Sequence, residues 1–339
     1  MSPNISHAET QSMPNDLLIS NFEFRIAPES GSLAGLLRYA PPLGCLGGEI
    51  ASMSQGSAHQ GKSSVPRAGS VILGGSRFWL FSLRVGWGAL MQGGWNIGLR
   101  CLVSPVHYSR FPVFPALLEE LAPAPGKRVL DIESPKLPSV YLALKRGVIV
   151  YATDLQDDLI FKWALCVRAL DRDGSATDRY IVEKQDARCL TYPTDSFDGV
   201  YSISVLEHIP EDGDSQAMRE IARVLKPGGR AFIQVPFRPT YEEVHVARDV
   251  YGRKYDGTAK VFFERRYDAA ALNTRIIQAA PLRLVSLSYH RERWPFLALW
   301  GRVPFPFRVP VMWGSSLSGR CSSWKGPGIP WRRGFEELI

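Results

Sequence analysis

Between residues 127 and 237, short β-rich runs alternate with stretches of helical period, and this alternation constrains the fold more than any other feature. RVLDI (128–132) and VIVYATD (148–154) are β-rich, and SVYLALKRG between them reads as helix. In QDDLIFKWALCVRAL, Leu159, Ile160, Trp163, Ala164, Val167 and Leu170 share one helical face, and Asp157 or Asp158 is available as cap. A strand around YIVEKQDA follows, then a strand FDGVYSIS (197–204) and a helix over DSQAMREIARVL. KPGG (226–229) ends that helix, and RAFIQVPF (230–237) is the next strand. Strands joined through helices predict a parallel sheet covered on both faces. The expected fold class is α/β, doubly wound and mostly parallel, with irregular N-terminal and C-terminal extensions.

The flanks carry weaker patterns. Residues 1–70 are rich in Ser, Gly, Ala and Pro with no sustained period, and are expected to be a low-complexity tail that contributes nothing to the fold. Residues 71–126 are expected to form a helical cap. Within them, Arg84 and Arg100 bound an uncharged run of 15 residues, short of the roughly 20 needed to span a bilayer. Leu80, Leu83, Trp87, Leu90 and Met91 fall on one helical face. That face is expected to pack on the main domain, with an interfacial helix at a membrane as the alternative.

The main domain is expected to run over 127–292. Its segment 237–268 is too long for a simple connection and is expected to be a lid or substrate insertion. AALNTRIIQAA reads as helix and RLVSLSYHRER as a closing strand. Residues 293–339 form a Trp/Pro/Arg-rich extension. Its Trp294, Phe296, Trp300, Phe305, Phe307 and Trp313 are expected to close over a pocket or pack on the sheet; nucleobase stacking and a lipid interface are the alternatives.

Composition narrows the partners only a little. A net charge of +7 and a pI near 9.2 tolerate an anionic partner without naming one. Five cysteines, at 45, 101, 166, 189 and 321, show no C-x-x-C pair and no metal-ligand spacing, a pattern of reduced thiols with no metal expected. The N-terminus MSPNISHAETQSMPND lacks the pattern of a secretory signal. A cytoplasmic location is expected, with a peripheral position at the inner face of a membrane as the alternative.

In an open parallel sheet, ligands bind beyond the carboxyl ends of the strands, so the residues closing each strand are the candidates. Asp154 closes the second strand, where a carboxylate can accept hydrogen bonds from ribose hydroxyls; capping the next helix is its structural alternative. Asp186 stands after the third, placed to orient an adenine amino group or to serve as a turn residue. Asp131 closes the first strand, where it braces the following loop or meets an ammonium through water.

The order V-L-D-I, Y-A-T-D, Q-D-A, S-F-D-G-V-Y-S-I-S-V-L-E-H-I-P and M-R-E-I-A-R-V-L-K-P-G-G resembles a class I S-adenosylmethionine-dependent methyltransferase over residues 127–237. The resemblance implies a Rossmann-like sheet and S-adenosyl-L-methionine as methyl donor. It implies that Asp154 binds the ribose hydroxyls, that Asp186 and its neighbour Ala187 bind the adenine, that Leu155 is a further donor-binding residue, and that Ser202, Ile203 and Leu206 line the donor pocket.

The opening loop departs from the family pattern D-x-G-x-G-x-G, whose glycines fall here on Glu133, Pro135 and Leu137. The register is intact, since Asp131 and Asp154 are 23 residues apart and Gly147 still ends the intervening helix. Glycine permits positive φ, whereas Pro135 and Pro138 fix φ near −65°, so the loop is expected to follow another path. On that path Ser134 supplies a hydroxyl, Lys136 meets the donor carboxylate and Glu133 faces its ammonium or sulfonium. The loop is similar to the S-P-K-L loop of some bacterial members; a loop that no longer accepts the donor is the alternative.

Displacement at a sulfonium needs alignment above all, and a base only where the nucleophile carries a proton. The weak candidates for a base are Glu207 and His208 after the fourth strand, and Tyr241, Glu242, Glu243 and His245 in the insertion; helix capping or packing is the alternative for His208. The expected acceptor is a small molecule or lipid-like compound rather than nucleic acid. Two rivals are carried: a nicotinamide-dependent oxidoreductase, which would want G-x-G-x-x-G, and a non-catalytic binding module that keeps the fold for a membrane or macromolecule.

Overall fold

The computed structural model describes residues 18–25, 68–155, 157–246, 260–291 and 322–325. Its elements begin with strand β1 (Leu18–Arg25) and helices α1 (Ala68–Met91), α2 (Trp95–Val103) and α3 (Val113–Leu121). The alternating section follows: β2 (Arg128–Ile132), α4 (Leu137–Arg146), β3 (Ile149–Asp154), α5 (Asp157–Leu170) and β4 (Tyr180–Lys184). It continues through β5 (Phe197–Ile203), α6 (Gly213–Val224) and β6 (Leu225–Phe237). A hairpin of β7 (Glu242–Val246) and β8 (Val261–Arg266), a short helix α7 (Ala269–Leu272), β9 (Arg283–Arg291) and β10 (Ser322–Lys325) complete it.

One eight-stranded sheet runs in the order β10-β9-β1-β6-β5-β2-β3-β4. The five strands from β6 to β4 are parallel, as the alternation predicts. Side chains of successive strand residues point to opposite faces, and the core divides accordingly. Val129, Val150 and Ala152 face α1 to α5, while Leu130, Ile132, Val200 and Ile233 face α6 and α7. The sheet is therefore doubly wound. The side chains of Asp157 and Asp158, expected to cap α5, lie outside the described residues, as do the six tail aromatics and residues 247–259 of the insertion.

Two expectations are corrected. Leu18–Arg25 lies in the stretch expected to add nothing, yet β1 sits between β6 and β9 and pairs antiparallel with both. Its register with β6 runs unbroken from Leu18 opposite Phe237 to Arg25 opposite Arg230. A single eight-residue strand carries too little periodicity to stand out of a Ser/Gly/Pro-rich stretch. Ser322–Lys325 likewise adds a strand, antiparallel to β9.

The second correction concerns α1, whose apolar face was expected to pack inward. Leu80, Trp87 and Met91 point outward and Leu83 and Leu90 are half-buried, while Phe78, Phe81, Val85 and Ala89 are buried. Helix α2 folds back along α1 through facing glycines; a Cβ at Gly86 would lie 2.8 Å from the Gly98 carbonyl oxygen. That close approach, after a turn in which Gly93 has φ of +78°, fixes which side of α1 meets α2. Among the described residues no helix is long and apolar enough to cross a membrane.

Removing residues 1–25 would strip both neighbours of β1 of their hydrogen-bonding ladder. Each lost bond costs about 0.5–1.5 kcal/mol net, so the truncated chain should melt several degrees lower in a thermal scan. An unchanged melting temperature would refute the place of β1 in the sheet.

Candidate functional site

The chain builds β2, β3 and β4 outward on one side and then returns to build β5 and β6 on the other. Strand order therefore reverses between β2 and β5, where a crevice opens at the carboxyl ends. The loop from Glu133 to Lys136 crosses that point. Ser134 Oγ accepts the Ile203 amide of β5 at 2.9 Å and donates to the Ile132 carbonyl at 3.1 Å. Lys136 Nζ donates to the Thr153 carbonyl of β3 at 2.7 Å and lies 3.3 Å from Asp131 Oδ2. Side chains thus sew the loop to three strands.

Asp131 is the hub of this wiring. It is fully buried; its Oδ1 accepts the Ser134 amide at 3.0 Å, and its Oδ2 accepts the Ser139 hydroxyl. Burial pushes its carboxyl up, and Lys136, Ser139 and Ser134 pull it back. Of the two roles open to Asp131, the structure shows the brace. Lys136 lines the cleft, with its ammonium buried against Asp131 and the Thr153 carbonyl. The Ser134 hydroxyl is spent on the strands.

The loop's first position is left-handed. Glu133 has φ of +48°, the left-handed conformation that the family pattern assigns to glycine. Pro138, in the first turn of α4, suits a helix start, where its missing N–H costs nothing. Glu133 therefore takes a positive φ without being glycine.

A cleft of about 590 Å³ opens beside the loop. Glu133, Ser134, Pro135, Lys136 and Leu137 line it together with Asp154, Ile203 and Ser204. Hence the loop borders the cleft without filling it. Glu133 is raised to about 8 by burial and by the nearby Asp154, with further contributions from Asp186 and Asp131 opposed by Lys136. A partly buried carboxyl among other carboxylates is a place that favours a cation.

The remaining candidates scatter. Leu155, next to Asp154, is 48% exposed. Asp186 is held by Arg188, whose Nε lies 3.0 Å and Nη2 2.7 Å from its two oxygens, and this lowers its carboxyl. Ala187, Ser202 and Leu206 are buried; the Ser202 hydroxyl makes no hydrogen bond. Glu207 is buried with Oε2 unpartnered, and burial pushes its carboxyl up to about 6. His208 Nδ1 donates to the Phe263 carbonyl at 2.8 Å, and its Nε2 lies 3.9 Å from Glu207 Oε1. Tyr241 donates to Glu243 at 2.6 Å, Glu242 pairs with Arg266 at 3.0 Å, and His245 is exposed on β7. None of these base candidates is among the described residues that line the cleft.

Sequence reasoning missed the cleft's other wall, formed by Ser82, Arg100, Ser104, His107 and Arg110 of the helical cap and by Trp163 of α5. Arg110 donates to Gln234 Oε1 of β6, which also accepts the Ser204 hydroxyl at 3.1 Å. The available signal was charge: no acid occurs between Glu49 and Glu119, while Arg100 and Arg110 do.

A family profile described as a methyltransferase domain matches residues 136–233, beginning inside the loop. Methyltransferase GfsG of Streptomyces halstedii is 34% identical over 133 residues, 39% of this chain and 46% of that protein. The 27-O-demethylrifamycin SV methyltransferase of Amycolatopsis mediterranei is 35% identical over 118 residues, 33% of this chain and 40% of that protein. Residues 136–233 thus carry the pattern of a methyltransferase domain, and the chain is similar there to these two methyltransferases. The match covers less than half the length of either relative. Among solved structures, Haemonchus contortus phosphoethanolamine N-methyltransferase 2, in complex with S-adenosyl-L-methionine, aligns over 41% of this chain and 30% of its own. Its 26% identity comes with a TM-score of 0.31, which carries no argument.

The loop's wiring has two measurable consequences. Lys136→Met strands the buried Asp131 carboxylate and should cost about 3–5 kcal/mol in a denaturant titration. Adding Asp131→Asn to it should recover part of the loss; equal losses in both proteins would remove the pair from the loop's support. For Glu133, below 4.5 both folded and unfolded states carry the proton; between 4.5 and about 8 only the folded state does. Stability therefore falls as pH rises through that window and levels off above it. Glu133→Gln should flatten the melting temperature in that window relative to the parent, and parallel profiles would show that the carboxyl titrates normally.

Proposed function

We propose that the protein binds S-adenosyl-L-methionine in this cleft and transfers its methyl group to a small-molecule acceptor. The observation that carries the reading is the open cleft at the strand-order reversal, bordered by Glu133 and Asp154 and left clear by the proline-containing loop. The fit is chemical as well as spatial. Glu133, crowded by Asp154 and raised to about 8, favours a cationic ligand group such as a sulfonium or ammonium.

In this reading Asp154 accepts the ribose hydroxyls, and Leu155 offers its exposed apolar side chain to the adenine. Asp186, oriented by Arg188, and Ala187 border the adenine end. Arg110 and Arg100 supply the positive charge for the carboxylate. When bound, the donor supplies a methyl group already activated on a sulfonium. The residues' work is to align it and exclude water, and no general base is assigned. The acceptor class is supported by the relatives, one of which is named for the methylation of 27-O-demethylrifamycin SV.

Titration calorimetry with S-adenosyl-L-methionine tests the donor half of the proposal. Saturable binding is expected, and Asp154→Ala should weaken it by about 1–3 kcal/mol, the cost of hydrogen bonds to a charged acceptor. No binding at millimolar donor would sink the reading. Binding without methyl transfer to any small-molecule fraction, followed with radiolabelled donor, would favour a non-catalytic module instead.

A further inference from the structure

We propose that the outer face of the α1–α2 hairpin docks on an anionic lipid bilayer. Six large apolar side chains stand on that face: Leu80, Trp87 and Met91 from α1, and Trp95, Leu99 and Val103 from α2, each between 39% and 69% exposed. Single exposed apolar residues need no explanation, but a cluster of this size on one hairpin does. Trp at an exposed apolar face is the residue type that seats at the headgroup level of a membrane.

The arrangement of charge selects the partner. Arg77, Arg84 and Arg100 are exposed on the same two helices, and no Asp or Glu occurs from Ile50 to Leu118. At about 100° per residue, Trp87 and Leu80 lie on the side of α1 nearer the Gly86–Gly98 seam, Met91 lies next to Arg84, and Arg84 and Arg77 are furthest from the seam. On α2, Trp95 turns toward α1, Leu99 and Val103 stand successively further out, and Arg100 lies on the far side, where it lines the cleft. The apolar side chains therefore form a stripe with Arg77 and Arg84 along its α1 flank. Such a face suits a bilayer, where the stripe enters the acyl boundary and the long arginine stems reach back to anionic headgroups. A second copy suits it less. A two-fold contact brings a patch against itself, and here that sets arginines against arginines with no acid to meet them.

The same helices give Ser82, Arg100, Cys101 and Ser104 to the cleft wall, so docking places a bilayer against the cap of the cleft. The inference stands whether or not the cleft takes a methyl donor, because vesicle binding requires none.

The test is sedimentation of the full chain with phosphatidylcholine vesicles, with and without phosphatidylglycerol. Binding is expected only with phosphatidylglycerol, weakening as salt is raised. Trp87→Ser with Trp95→Ser, and separately Arg77→Gln with Arg84→Gln, should each weaken it roughly tenfold or more. Both pairs are exposed, and thermal melting checks that the variants stay folded. The proposal is overturned by no sedimentation with either vesicle, or by binding that neither pair of substitutions changes. It is equally overturned by light scattering that shows a dimer split by the tryptophan substitutions together with no vesicle binding, since the face would then belong to a second copy.

Discussion

The buried pair of Asp131 and Lys136 is the interaction on which the rest of the site depends. A flexible glycine loop can hug a ligand through its backbone because nothing else constrains it. Here the corresponding loop carries prolines and side chains, and its position is set by hydrogen bonds to β2, β3 and β5. An ion pair buried this deeply repays its desolvation only when its remaining hydrogen-bonding capacity is met. Thr153, Ser134 and Ser139 meet it. The result is a preformed cleft edge, with the cost of ordering the loop met during folding rather than at ligand binding.

That wiring also explains the charge left over at the cleft. With Lys136 committed to Asp131, its ammonium offsets Glu133 only in part, and burial together with Asp154 pushes the Glu133 carboxyl up. The cleft therefore holds a surplus of carboxyl groups along one wall and arginines from the cap along the other. A zwitterionic ligand with a separate cationic centre fits such a division better than a dianionic pyrophosphate would. The oxidoreductase alternative weakens on the same ground.

The parallel core was legible because its signals are local. Period-2 and period-3.6 stretches alternate in RVLDI, SVYLALKRG and VIVYATD, and each local preference agrees with the sheet that forms. Asp154 was legible for a related reason, since its place at a strand end follows from the same pattern. The roles of Lys136 and Asp131 were not legible. Whether a lysine in a loop faces solvent or a buried aspartate depends on the path of Thr153, 17 residues away. The β1 strand was missed because its partners are the distant β6 and β9, and pairing of that kind leaves no mark on eight residues read alone. The cap's contribution to the cleft was missed for the same reason: only the folded chain sets Arg110 beside Gln234.

The outward apolar face of α1 shows how a periodicity argument can find the right stripe and the wrong direction. Leu80, Trp87 and Met91 do share a face, as helical spacing requires, but a second stripe of Phe78, Phe81, Val85 and Ala89 is equally regular and is the one buried. A helix apolar on two sides must leave one of them to something else. Glycines set the neighbours of α1: Gly86 admits the Gly98 carbonyl of α2, Gly88 admits Leu170 of α5, and Gly74 and Gly75 admit Pro115 and Phe111. With α2 on one flank and the sheet helices against the phenylalanine stripe, the tryptophan stripe has nowhere to go but out. More than half of the surface of Leu80, Trp87 and Met91 is left uncovered by the described residues. An apolar stripe that the described residues leave uncovered is the surface on which the proposed bilayer contact rests.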